Sequence, residues 1–340
     1  MNPLRVWNQF WFGPISARPL GVFRVVFGLL VLANLGFLAF DLDYWFTDHG
    51  LLQGNEALEM AGPLRISPLL WLQDPVSVRI FFAATAVVGC MFTLGWHTRI
   101  ASIALYLMML SIHQRNLLTN SGADALVMVM VFYMMLAPCG AAFSLDARRA
   151  RRKRGTDAEP LILPWAQRLI QLQLCLIYFI TAVFKCNGAS WMNGTALHYV
   201  IQNTEVGHPF LAWLAAYPIL INLMTYGAIL TEISLAYLLW FRATRPWAIL
   251  VGVSLHTSIH LCVNIPIFGE VMTACYLTFL SAEEINTLLR YLNPKNWFPA
   301  KAQAPRPVMP GRVDPPSQVP SPHWHQPAYE EETVSSHSFS

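Results

Sequence analysis

Eight stretches of this 340-residue chain consist almost wholly of apolar side chains, near residues 19–40, 78–96, 99–113, 123–138, 165–185, 217–241, 246–263 and 267–281. The runs are continuous and do not repeat every two or every three to four residues, so they offer no polar face to water. A helix needs about 20 apolar residues to cross roughly 30 Å of hydrocarbon. Lipid offers no partners to backbone amides and carbonyls, and a helix satisfies them within one segment. The expected fold class is all-α: a polytopic transmembrane helix bundle of about eight spans. The third and last runs are short and residues 208–216 are also apolar, so counts of seven or nine fit too.

Charge tells the same story. Only 12% of residues are charged and 55% are hydrophobic, against about 25% charged in soluble domains. This excludes a disordered chain, a nucleic-acid binder and an ordinary water-soluble enzyme. The six cysteines carry no CxxC pair and no zinc spacing, so no metal is expected. Most lie inside apolar runs as small hydrophobes; Cys186 and Cys262 sit near span ends, where a disulfide is open but unsupported by the sequence.

Loop charge sets an expected orientation, because cytoplasmic loops retain Lys and Arg. With eight spans and the N-terminus inside, eighteen of the 22 cations fall on the inner side, including the run Arg148 to Arg154. Only Arg65, Arg79, Arg115 and Lys185 fall outside. The expected layout is a cytoplasmic segment over 1–18 without a removable signal, a membrane domain over 19–282, and a cytoplasmic tail over 283–340. The tail is rich in Pro and Ser, which predicts disorder and a route to a protein partner. The basic run serves topology and touches anionic headgroups. The expected setting is the inner membrane of a bacterium, with both termini cytoplasmic.

Polar groups inside spans are costly and draw attention for that reason. Lys185 ends the fifth span. His256 and His260 stand four residues apart on one face of the seventh, and Glu270 opens the eighth. Arg115, Asn120 and Asp124 line the turn between the third and fourth. Most crowd the outer leaflet, with His256 about mid-bilayer, whereas Glu232 lies deeper in the sixth span. Each has a plain structural reading: Lys185 as a snorkelling cation, the histidines as interhelical hydrogen-bonders, the Asn-Ser-Gly-Ala-Asp stretch as a turn. A lysine working as general base has to give up its proton, which shielding from water favours.

Several segments together resemble a known family. They are Arg18 to Arg24; Gln114-Arg115-Asn116 with Asn120 to Asp124; Ala137-Pro138-Cys139-Gly140 and Ser144-Leu145-Asp146; Tyr178-Phe179 through Lys185 to Trp191 and Gly194; and His256 followed by Ile265, Phe268, Val271 and Met272. In this order, over roughly residues 15 to 282, they resemble the HTTM family, whose transmembrane module is shared with vitamin K-dependent gamma-carboxylase. The resemblance implies a reduced, vitamin K-like quinone as cofactor, entering from the lipid. It implies Lys185 as the base that deprotonates the quinol and His256 as a residue assisting the quinone oxygens. His260, Glu270, Arg115, Asn120, Asp124 and Trp191 are the expected substrate-binding residues around them.

The carboxylase follows its spans with a large lumenal domain that helps engage protein substrates. A short tail, expected in the cytoplasm, stands there in this chain, so the expectation centres on quinol chemistry of a lyase or oxidoreductase kind and not on peptide glutamate carboxylation. Two alternatives stay open: a non-enzymatic membrane protein, either a carrier using Glu232 and the His pair as a proton relay or a partner subunit of a redox complex, and a haem-binding electron carrier resting on His256. Under the quinol reading, Lys185, His256 and His260 are expected to face one cavity.

Overall fold

A computed structural model describes residues 2–53, 56, 59, 67–155, 158–205 and 207–293. The tail beyond 293, with its expected disorder and partner binding, lies outside the described residues, as does most of the first outer loop between 54 and 66. The chain runs α1 (Pro3–Phe12), β1 (Ile15–Ser16), α2 (Arg18–Ala39), α3 (Leu42–Phe46), α4 (Pro75–Leu94), α5 (Thr98–Arg115) and α6 (Gly122–Leu136). It continues with α7 (Leu145–Arg154), β2 (Leu161–Ile162), α8 (Trp165–Asn187), α9 (Ala189–Met192) and α10 (Ala196–Gln202). Last come α11 (Pro218–Leu238), α12 (Arg245–Cys262), α13 (Phe268–Cys275) and α14 (Ala282–Leu292).

Helices stand at all eight expected positions, yet only α2, α4, α8 and α11 are both long and apolar enough to cross a membrane. The others fall short for identifiable reasons. Helices α5 and α12 reach 18 residues but carry Ser, Thr, His and Gln or Arg among their apolar residues. Helix α6 is apolar but has 15 residues. The eighth run breaks after the eight residues of α13 into a 3-10 turn, Tyr276–Phe279. Residues Pro209–Ala216 also form a 3-10 segment, which at about 2 Å per residue is too short for a span.

Local chemistry explains the boundaries. Asp74 caps α4 by accepting from the Ser77 amide at 2.9 Å, and Pro75 supplies the preset first turn. Gly95 ends that helix at φ +70, a left-handed conformation that glycine adopts without strain. Ser121 and Asp124 form a reciprocal capping box on α6. The strands pair antiparallel, Ile15 with Ile162, and tie the entry of α2 to the entry of α8. One apolar core, with Phe23, Phe27, Phe92, Met109, Met130 and Leu174 among its buried members, runs through α2, α4, α5, α6 and α8. Helix α8 packs closely along α11, α11 along α12, and α12 along α13. All six cysteines are free thiols.

Candidate functional site

Residues Tyr178, Thr181 and Lys185 are spaced by three and four, so they share one face of α8. That face meets α11 at Glu232. Both Glu232 carboxylate oxygens lie within hydrogen-bond distance of the Lys185 Nζ, at 2.5 and 2.6 Å. The Thr181 hydroxyl stands 3.2 Å from the same carboxylate. The two side chains are 19% and 8% exposed, and the Lys185 ammonium also sits 5.0 Å from the centre of the Trp191 ring. Glu232 is fourteen residues into α11, about 21 Å from its start at 1.5 Å per residue. Lys185 therefore does not snorkel out to an interface; a carboxylate inside the bundle holds it. Either charge alone would be costly so far from water, and the pair makes the burial tolerable.

Beside this pair opens a cavity of about 350 Å³ between α8, α9, α10, α11 and α12, within the roughly 300–1,000 Å³ range of small-molecule pockets. Its walls are mainly apolar, with Lys185, Glu232 and Trp191 at the polar end. Small residues create the space: Gly227 and Ala228 on α11 sit one turn before Glu232.

The expected site residues fall into three groups. Lys185 and Trp191 line the cavity. The two histidines do not line it, although one shared cavity was expected. Helix α12 turns Val251, Ser254, Leu255, Ser258, Ile259 and Cys262 toward the cavity, a 3.6-residue face from which His256 is rotated by about 100°. His256 is instead buried with its Nε2 2.7 Å from the Tyr178 hydroxyl, which lies 2.5 Å from the Tyr276 hydroxyl. Its Nδ1 has no hydrogen-bond partner among the described residues, and the edge of Phe268 covers the ring. His260 is 57% exposed, with Nδ1 3.6 Å from the half-exposed Glu270 carboxylate.

The third group holds a turn together. Asp124 accepts from the Ser121 amide and hydroxyl and from Asn34 at 3.3 Å. Asn120 donates to the His113 carbonyl at 3.0 Å while its oxygen meets His113 Nδ1, also at 3.0 Å. Arg115 is buried and donates to the Leu52 carbonyl at 3.0 Å. These contacts fix the α5–α6 connection and do not reach the Lys185 cavity.

Sequence reasoning missed the pairing of Lys185 with Glu232 and the Tyr178–His256–Tyr276 cluster. The 3-and-4 spacing of Tyr178, Thr181 and Lys185 was a usable signal for a polar stripe. Nothing in the sequence said that a residue 47 positions away would meet it.

Comparison with known proteins adds a family. A family model described as the HTTM domain matches residues 12–283. Among curated proteins, the uncharacterized protein YitO of Bacillus subtilis strain 168 is 21% identical over 214 residues, covering 60% of this chain and 67% of that one. No solved structure matches.

Proposed function

Because the chain belongs to the HTTM domain family, the family of the vitamin K-dependent carboxylase membrane module, we propose that it turns over a quinol or a related lipid-soluble substrate in the Lys185 cavity, with Lys185 as general base. The observation that carries this reading is one ion pair at the wall of a mainly apolar cavity inside a membrane protein. A reduced quinone fits such a place: apolar walls for the greasy body, a basic group for the hydroxyl, and the Trp191 face for the ring. When bound, it supplies the hydroxyl proton and the reducing electrons. The rest is the work of the chain's own groups. Lys185 and Glu232 share a proton; when it rests on the carboxylate, Nζ is neutral and takes up a proton from a hydroxyl in the cavity. Thr181 and Trp191 keep the ammonium and carboxylate in register. His256 supports the site from behind, through Tyr178.

The finer topology belongs to the same proposal: about eight membrane-crossing segments and both termini in the cytoplasm of a bacterium, supported by the eighteen-to-four distribution of cations. Purified protein in lipid nanodiscs should oxidise an added naphthoquinol under oxygen. Lys185→Ala should reduce the rate by about a hundredfold or more, measured per mole of the folded, monodisperse fraction, because the unpaired Glu232 also lowers stability. An unchanged rate refutes the assignment.

A second reading, a non-enzymatic carrier or a partner subunit of a redox complex, draws on the same buried pair as a proton relay. Dependence of vesicle uptake on Glu232 alone would have favoured a carrier, but the direct Lys185–Glu232 contact removes that test: losing either partner disturbs the other. Substrate-driven proton uptake into sealed vesicles without any quinol oxidation would select the carrier.

A further inference from the structure

At the other end of α8 lies a second, unrelated surface. Helix α7 has the sequence LDARRARRKR, and its six cations, Arg148, Arg149, Arg151, Arg152, Lys153 and Arg154, are all exposed. Its one acid, Asp146, is already engaged: it accepts from the Thr98 amide and hydroxyl, both at 2.7 Å, and from the His97 amide at 3.1 Å. Burial alone would raise the pKa of this carboxyl, but these hydrogen bonds outweigh it and hold the pKa below its ordinary value.

At the first turn of α7 lies a groove of about 620 Å³ with apolar walls from Leu136, Pro138, Leu161, Leu163 and Trp165, lined also by Arg99. Leu161 and Leu163 are 65% and 50% exposed there. Asp146 also lines the groove, which fixes the face of α7 turned toward it. Arg149 and Lys153 follow Asp146 by three and seven residues and share that face; Arg148 and Arg152 point away from it.

Clustered cations beside an unfilled apolar trough call for a ligand with an anionic head and a hydrocarbon body. An inorganic phosphate would satisfy the cations and leave Leu161 and Leu163 uncovered. We propose that α7 and this groove hold one anionic phospholipid of the surrounding leaflet, its phosphate on Arg149, Lys153 and Arg99 and an acyl chain along Leu161, Leu163 and Trp165. Guanidinium groups grip phosphate through paired donors, and each cation near an anionic membrane surface adds to the attraction. The site is independent of the quinol reading and survives its failure.

The test uses the purified full-length protein in neutral detergent, titrated separately with phosphatidylglycerol, phosphatidylcholine and inorganic phosphate. Thermal unfolding and native mass spectrometry are the readouts. Phosphatidylglycerol should raise the unfolding midpoint and remain bound as a single copy; the other two should do neither. The double variant R149Q/K153Q should weaken apparent affinity roughly tenfold or more, whereas R148Q/R152Q, with the same loss of charge, should change it by less than about threefold. All four positions are exposed, so both variants fold. Equal losses in the two variants would mean diffuse attraction and overturn the site. An equal response to phosphatidylcholine or to phosphate alone would overturn the lipid assignment.

Discussion

Two buried cations of this bundle are held in opposite ways. Arg24, on the second turn of α2, is fully buried and donates to four backbone carbonyls: Cys139 at 2.9 Å, Ala142 at 3.3 Å, Thr93 at 3.4 Å and Phe143 at 2.6 Å. These acceptors come from the end of α4 and from the connection after α6, so one guanidinium ties three segments together, and every acceptor is fixed in the backbone. Lys185 has a single charged side chain as partner and empty space alongside it. The difference is one of freedom. A cation whose two terminal nitrogens are held by four fixed carbonyls meets no group that could take its proton, and its role is structural. A cation paired with a carboxylate at the wall of a cavity can exchange a proton with whatever enters.

The sharpest way to break this contrast is to remove each cation. Arg24→Met strips four carbonyls of their donor and should cost more than about 3 kcal/mol, seen as lost monodisperse protein in detergent. Survival at wild-type stability would remove the structural half of the comparison. At the other site, Lys185→Met and Glu232→Gln should each cost about 2–3 kcal/mol by leaving a partner unpaired, discounted for the partial exposure of Lys185. The double variant should regain most of that loss; additive losses in the double-mutant cycle would mean that the two groups do not depend on each other.

A smaller effect probes the support behind the cavity. Tyr178→Phe deletes the hydroxyl that joins His256 to Tyr276 and should lower stability by about 1–2 kcal/mol. It should also slow turnover far less than loss of Lys185 does. Smallest is the pH response at Asp146, whose folded-state pKa is depressed. Its contribution is complete above the unfolded carboxylate value and fades as pH falls through the folded one. The melting temperature of Asp146→Asn should therefore approach that of the wild type as the solution is acidified.

The positions of all eight main helices were legible in the sequence, because uninterrupted apolar runs leave the chain few choices. Span number was less legible: length and apolarity single out four helices, while α5, α12 and the broken α13 region depend on neighbours that no local window records. Lys185 stood out as a polar residue at the end of a span, and Trp191 through the family resemblance. The roles of His256 and Glu232 did not, for a geometric reason. Which side of α12 faces the cavity depends on how it docks against α11, and a 100° error sends His256 into the wall behind. Arg115, Asn120 and Asp124 carried real signal, but it was the chemistry of capping and turn formation, which a single sequence does not distinguish from ligand binding.

The cavity itself offers the most direct test. A Cβ placed at Gly227 meets nothing within 4 Å, so Gly227→Phe should fill the space beside Lys185 without straining the helix pair. Solvent extraction of purified protein, with quinone quantified per chain, should find close to one equivalent on the wild type and almost none on Gly227→Phe at equal thermal stability. Equal quinone on both proteins, or none on either even after supplementation with naphthoquinone, would contradict a quinol site at Lys185.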